Sequence, residues 1–133
     1  MHFVPIDFNT QSIEEVLSNS SFDPNKRTFF SILGVTYYLS LEVFSKTIEN
    51  LSSITKNESV IVFDYPDDTT FTSDENSDVT KLHQMTALLG EKMAHGYKFL
   101  EIEECFKNYK GMVLEHLAPV DINKKYFQNR HDG

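Results

Sequence analysis

The stretch Thr28-Phe29-Phe30-Ser31-Ile32-Leu33-Gly34-Val35-Thr36-Tyr37-Tyr38-Leu39-Ser40-Leu41-Glu42-Val43-Phe44 joins an apolar run to a helical pattern through a glycine and a Thr-Tyr-Tyr. Thr28 to Leu33 reads as a strand, uncharged and apolar enough to be buried on both faces. Ser40 then caps a helix in which Leu41, Phe44, Ile48, Leu51 and Ile54 recur every three or four residues. A buried strand that ends in Gly34, with Tyr37 and Tyr38 just beyond, has the form of a ligand-facing rim. Glycine admits close backbone approach, and the tyrosines can wall a pocket.

Outward from that stretch, the pattern alternates. Phe3 to Phe8 reads as a strand, with Pro5 favouring an edge or a strand start. Ser12-Ile13-Glu14-Glu15 has capping-box form and opens a short helix through Ile13, Val16 and Leu17. Residues 19–27 form a loop. Ser59 to Phe63 is a β-branched strand that breaks off at Asp64-Tyr65-Pro66-Asp67-Asp68. A long polar loop over 64–78 precedes a helix over Asp78 to Leu89, striped by Val79, Leu82, Thr86 and Leu89. So little apolar content should leave that loop mobile. A further helix spans Leu100 to Tyr109, Met112 to Leu117 makes a last strand, and the tail is irregular. This order predicts an α/β domain with a mostly parallel sheet and helical crossovers. In such sheets the ligand lies beyond the carboxyl ends of the strands, here Asp7, the Leu33-to-Tyr37 bend and Asp64-Tyr65.

Composition narrows the function classes. The 133 residues fit one domain spanning 1–133, and 40% hydrophobic with 24% charged is ordinary for a globular chain. A net charge of −8 argues against nucleic acid and anionic membrane surfaces. No apolar run is long enough to span a bilayer, and the first ten residues lack the cationic start of a signal peptide. The single cysteine, Cys105, excludes an internal disulfide and fits a reducing compartment, so a cytoplasmic location is expected.

Each candidate side chain has a plainer reading beside the functional one. Asp7 either accepts from an amino group such as a purine's or caps the turn after its strand. Asp64, Asp67 and Asp68 read better as a solvated loop than as a Mg²⁺ or Ca²⁺ site, because no EF-hand spacing follows. The five histidines stand far apart without cysteine neighbours, so no metal site is expected. Cys105, beside Phe106 in a helical pattern, reads as a packed thiol. Tyr37 and Tyr38 stand either in the core or on the pocket wall. The five glycines, 34, 90, 96, 111 and 133, form no phosphate cradle of the P-loop or Gly-x-Gly-x-x-Gly kind.

The ordered set Val4-Pro5-Ile6-Asp7-Phe8, Thr28 to Glu42, and Ser59 to Asp67 resembles the leucine carboxyl methyltransferase-like family of S-adenosylmethionine-dependent O-methyltransferases. Members typically show a Val-Pro-Val-Asp-Phe-like strand, then Phe-Phe-x-x-Glu-Gly-Val-Thr-x-Tyr-Leu, then Val-Phe-Asp-Tyr. Leu89 to Asn108 looks like the family's Gly-Glu element and the helix beyond it, and Tyr126 to Gly133 is similar to its Tyr-x-x-x-Arg-x-Asp-Gly tail. The resemblance implies a Rossmann-like class I methyltransferase fold with S-adenosylmethionine as cofactor and a carboxyl or small-molecule acceptor. It implies that Asp7 accepts from the adenine amine, with the Phe8 backbone beside a ring nitrogen and Gly34 close to the cofactor. It places Tyr37 and Tyr38 along the transfer cleft and Asp64 and Tyr65 on the substrate side.

The resemblance begins at the family's third strand, so the first two strands, with the glycine-rich turn and the acidic ribose-binding end, are absent from this sequence. Leu33 stands where the family usually has a glutamate. The expectation is therefore a carboxyl-terminal portion of a methyltransferase, truncated, inactive alone and binding its cofactor weakly or not at all. The alternative is a non-enzymatic oligomeric remnant or interaction module. With its usual neighbours missing, the Thr28–Leu33 strand would show a bare apolar edge. Either Phe3–Phe8 slides over to pair with it, or copies join edges, and a homo-oligomer, most simply a dimer, is expected.

Overall fold

The two strands that the sequence marks most clearly pair with one another. In a computed structural model, which describes residues 3–7, 10–56, 58–71, 78–88, 90, 93, 95–128 and 130, β1 (Phe29–Ile32) lies parallel to β2 (Val60–Phe63). The register sets Phe29 against Val60 and Ile32 against Phe63. Parallel neighbours need a crossover, and α2 (Leu41–Ile54) supplies it. Ser40 caps α2 as its sequence implies, its hydroxyl accepting from the Val43 N–H at 3.2 Å. Ser12 does the same for α1 (Ile13–Ser18), accepting from Glu14 at 3.2 Å. The architecture is thus α/β, with a two-stranded parallel sheet and helices.

The core lies on one face of that sheet. Phe44 and Ile48 of α2 meet Ile102, Cys105 and Phe106 of α4 (Phe99–Asn108), with Tyr97 between them and Ile61 and Phe63 beneath. Phe44, with its ring centroid 5.1 Å from Phe63 and 5.6 Å from Tyr97, is the hub. Cys105 is a packed thiol, its pKa raised by burial. Glu101 closes the start of α4 by accepting from the Lys98 N–H at 2.8 Å.

Several expectations fail, most of them because a neighbour is missing. Phe3 to Asp7 is not a strand: Phe3 is 87% exposed, and no strand among the described residues lies alongside to complete a ladder. Phe8 lies outside the described residues. Met112 to Leu117 forms no strand either, for the same reason. β1 is covered on one face only: Phe30 and Ile32 are half-buried, whereas Phe29 and Ser31 are exposed. Its sequence lacks the polar alternation that would mark the open face. The helix α3 (Asp78–Leu88) forms, but Leu82 of its apolar stripe stays exposed. The tail is not irregular throughout, since α5 (Pro119–Ile122) runs into a π-helical turn over Asn123–Phe127. Pro119 sits at the first turn, where its missing N–H is no loss. The stretch 72–77 of the long loop lies outside the described residues.

Gly34 ends β1 in the left-handed region, with φ +70°. A Cβ there would meet nothing within 4 Å, so the glycine serves the backbone turn and leaves open space beside it. Gly34→Ala is expected to destabilise the chain by about 1–2 kcal/mol through φ strain alone, read as a lower urea midpoint at unchanged slope.

Candidate functional site

The carboxyl ends of β1 and β2 are tied together through one carboxylate. Asp64, the residue after β2, accepts from the Gly34 N–H on Oδ1 at 2.8 Å. Its Oδ2 receives a long hydrogen bond, 3.4 Å, from the Tyr37 hydroxyl. Its carbonyl accepts from the fully buried Thr36 hydroxyl at 2.6 Å. Burial, reinforced by the Asp64 charge, holds the Tyr37 phenol above its usual pKa. Gly34, Tyr37 and Asp64 therefore meet as the sequence pattern implies. Tyr38 lies half-buried on the same 3-10 turn, Thr36–Tyr38.

A second tier continues from Tyr65. Its hydroxyl is 2.9 Å from His116 Nε2, and the two rings stack at 5.9 Å. Phe99 stacks on His116 as well, at 4.3 Å. Burial, then the Asp67 charge, raise the Tyr65 pKa. Tyr97 locks the tier from inside: its hydroxyl faces the Thr36 carbonyl at 3.0 Å and the Leu39 carbonyl at 2.6 Å. Its N–H donates to Pro66 at 2.9 Å, which anchors the start of the long loop. Asp67 is held by Thr69, whose N–H and hydroxyl donate to Oδ1 at 2.9 and 2.6 Å.

Asp7 stands in the turn geometry of its plainer reading. Its carbonyl accepts from the N–H groups of Thr10 and Gln11, and its carboxylate from the Thr10 hydroxyl at 3.0 Å. Nothing in the sequence marks Tyr97 or His116 as a residue of this site. Their partners lie 61 and 51 residues away in sequence, and no local period marks them. Among the described residues no cluster of three or more His, Cys, Asp or Glu could hold a metal ion, and no helix is long and apolar enough to cross a membrane.

What this rim offers is a preformed aromatic and hydrogen-bonding wall beside an open glycine, with Asp64 already engaged in holding it. Its place, at the carboxyl ends of parallel strands, is where α/β sheets bind ligands. Comparison with known proteins agrees with the class. Residues 1–52 match the family model described as leucine carboxyl methyltransferase. The resemblance to that family is thereby shown.

A particular relative is YktD of Bacillus subtilis (strain 168), named "Putative S-adenosyl-L-methionine-dependent methyltransferase YktD". The two are 41% identical over 134 aligned residues, covering 100% of this chain and 44% of YktD. The chain thus spans less than half the length of the curated relative that it matches. No solved structure matches it.

Proposed function

We propose that this chain is the carboxyl-terminal portion of a Rossmann-like, class I S-adenosylmethionine-dependent O-methyltransferase domain with a carboxyl or small-molecule acceptor, and that the chain alone does not transfer methyl groups. The observation that carries this reading is the Gly34–Asp64 joint, which sets open space and an aromatic wall at the ends of two parallel strands. In this reading Asp7 and Phe8 take the adenine edge of the cofactor. Gly34 gives it room, and Tyr37, Tyr38, Asp64 and Tyr65 line the acceptor side. Methyl transfer to an ionised carboxylate needs no general base, so the rim's task is alignment of oxygen, methyl and sulfur. That suits a wall whose one well-placed carboxylate is already hydrogen-bonded.

The residues fit one edge of the cofactor and not the remainder. Leu33 offers no polar group where the family carries a glutamate, and no Gly-x-Gly turn occurs in the sequence to receive the methionine portion. No catalytic step is therefore assigned to this chain alone. One hydrogen-bonded adenine edge contributes about 1–3 kcal/mol, whereas a Kd of about 1 mM requires about 4 kcal/mol. Calorimetric titration with S-adenosylhomocysteine is expected to give a Kd of about 1 mM or weaker. Saturation-transfer NMR at millimolar ligand is expected to mark the adenine protons, and Asp7→Ala to abolish that transfer. Micromolar binding would overturn the inactivity of the isolated chain. Adenine transfer equal in the wild type and Asp7→Ala would overturn the assignment of Asp7.

A further inference from the structure

The net charge of −8 is unevenly spread. Residues 123–130, Asn-Lys-Lys-Tyr-Phe-Gln-Asn-Arg, hold three cations and no acid, which no stretch of that length elsewhere in the chain does. Most of them form the π-helical turn that follows α5. That turn and residues 115–117 share an open cleft of about 730 Å³, and Glu115, His116, Asp121, Lys124, Lys125 and Gln128 line it. Its size is that of a small-molecule site. Each acid in the lining is engaged by the protein itself. Glu115 accepts from the Lys125 ammonium at 2.6 Å, and Asp121 accepts from the Ala118 N–H at 3.1 Å.

Three donors are left over. The Lys124 ammonium, the Gln128 side-chain amide and Nδ1 of His116 have no partner among the described residues. The His116 ring is held in place, with Nε2 2.9 Å from the Tyr65 hydroxyl and stacking contacts to both Tyr65 and Phe99. With that hydroxyl donating to Nε2, the ring proton sits on Nδ1, a donor fixed before any ligand arrives. In the lining two cations face two acids, so the surplus there is one of donors rather than of charge. Arg130 adds its cation two residues beyond Gln128. An ammonium and an imidazole N–H bond most strongly to an ionised oxygen.

We propose that this cleft binds an anionic group of the methyl acceptor, a carboxylate or a phosphate, away from the oxygen that takes the methyl group. Lys124 pairs with the anion, and the Gln128 amide and His116 Nδ1 donate to it. Because His116 also holds Tyr65, the cleft and the acceptor side of the rim share a wall. Binding energy from a part of the substrate that does not react can align the part that does, and alignment is the rim's task. Only the assignment to the acceptor rests on the methyltransferase reading. The anion site itself rests on the cleft and its unspent donors.

The test titrates the full 133-residue chain with malonate and, separately, with inorganic phosphate at constant ionic strength, reading the His116 ring and Lys124 side-chain resonances by NMR. Malonamide, similar in size but uncharged, is the control. The expected result is a shift that saturates at millimolar concentration with at least one anion and is absent with malonamide. The tighter anion names the group. Lys124→Ala is expected to weaken binding about tenfold. His116→Phe, which keeps an aromatic ring against Phe99 and Tyr65 but removes Nδ1, is expected to do the same, with the Tyr97 amide still protected from exchange as a check on the fold. Lys26→Ala, which removes a cation outside the lining, leaves the affinity unchanged. Shifts that do not saturate, equal shifts with malonamide, or an affinity indifferent to Lys124→Ala and His116→Phe would overturn the proposal. Adenine saturation transfer that is equal in the wild type and Asp7→Ala, beside a saturable anion site, removes the cofactor assignment and leaves the anion site standing.

Discussion

Tyr97→Ala is expected to lose a large share of the chain's stability, and Tyr97→Phe a smaller but definite one. The ring is 1% exposed and touches Phe44 and Tyr65, with centroids 5.6 and 6.1 Å away. Removing it empties the centre of the core, where truncation of a large aromatic costs about 3–5 kcal/mol. Domains of this size have about 5–15 kcal/mol in all. Tyr97→Phe keeps the packing but leaves the Thr36 and Leu39 carbonyls without their shared donor in a dry site, about 1–3 kcal/mol. Urea unfolding checks both, and a Phe variant within about 0.5 kcal/mol of wild type would show that the hydroxyl anchors nothing.

The same phenol makes stability fall at high pH. Burial pushes its pKa from 10.0 to about 12. The neutral form is favoured in the folded state, so its contribution is fully present below pH 10, where the unfolded tyrosine is also neutral. It is lost as pH rises from 10 towards 12, because the unfolded state releases its proton first. Two units correspond to at most about 3 kcal/mol. Tyr37 and Tyr65 are raised as well and add to the same slope. Tyr97→Phe is therefore expected to flatten the alkaline decline without abolishing it.

What could be read from the sequence followed from how local its causes are. Ser12 and Ser40 cap helices through hydrogen bonds two and three residues away, so α1 and α2 are visible in a short window. β1 and β2 are visible because β-branched and aromatic residues cluster between turn residues. Whether Phe3–Asp7 or Met112–Leu117 becomes a strand depends on a neighbour elsewhere, and neither stretch carries that information. The site divides in the same way. The Gly34, Tyr37 and Asp64 group lies at strand ends, where topology places ligands. Tyr97 and His116, on either side of α4, join it through docking contacts 61 and 51 residues away in sequence, and nothing in their flanks announces it.

Gly96→Ala is expected to disturb that docking more than Gly34→Ala disturbs the β1 turn. The two glycines are needed for opposite reasons. At Gly34 the φ of +70° is the whole difficulty, and a methyl group would project into open space. Gly96 has no such φ, but a Cβ there would stand 2.4 Å from the Asp67 carbonyl oxygen and 2.9 Å from Asp68 Cα. Both are backbone atoms, held by the Asp67–Tyr97 bridge and by the Tyr97 N–H on Pro66 at 2.9 Å. The clash can be relieved only by opening that bridge or by drawing Tyr97 out of the core. Overpacking strain of about 1–3 kcal/mol then adds to the loss of a backbone hydrogen bond, about 1 kcal/mol. Because Tyr65 and Asp67 flank Pro66, the shift also reaches the Tyr65–His116 pair. Gly96→Ala is therefore expected to remove exchange protection from the Tyr97 amide, to move the His116 ring resonances, and to lower the urea midpoint further than Gly34→Ala. A protected Tyr97 amide with an unchanged midpoint would show that the loop after β2 yields freely and does not hold the rim in place.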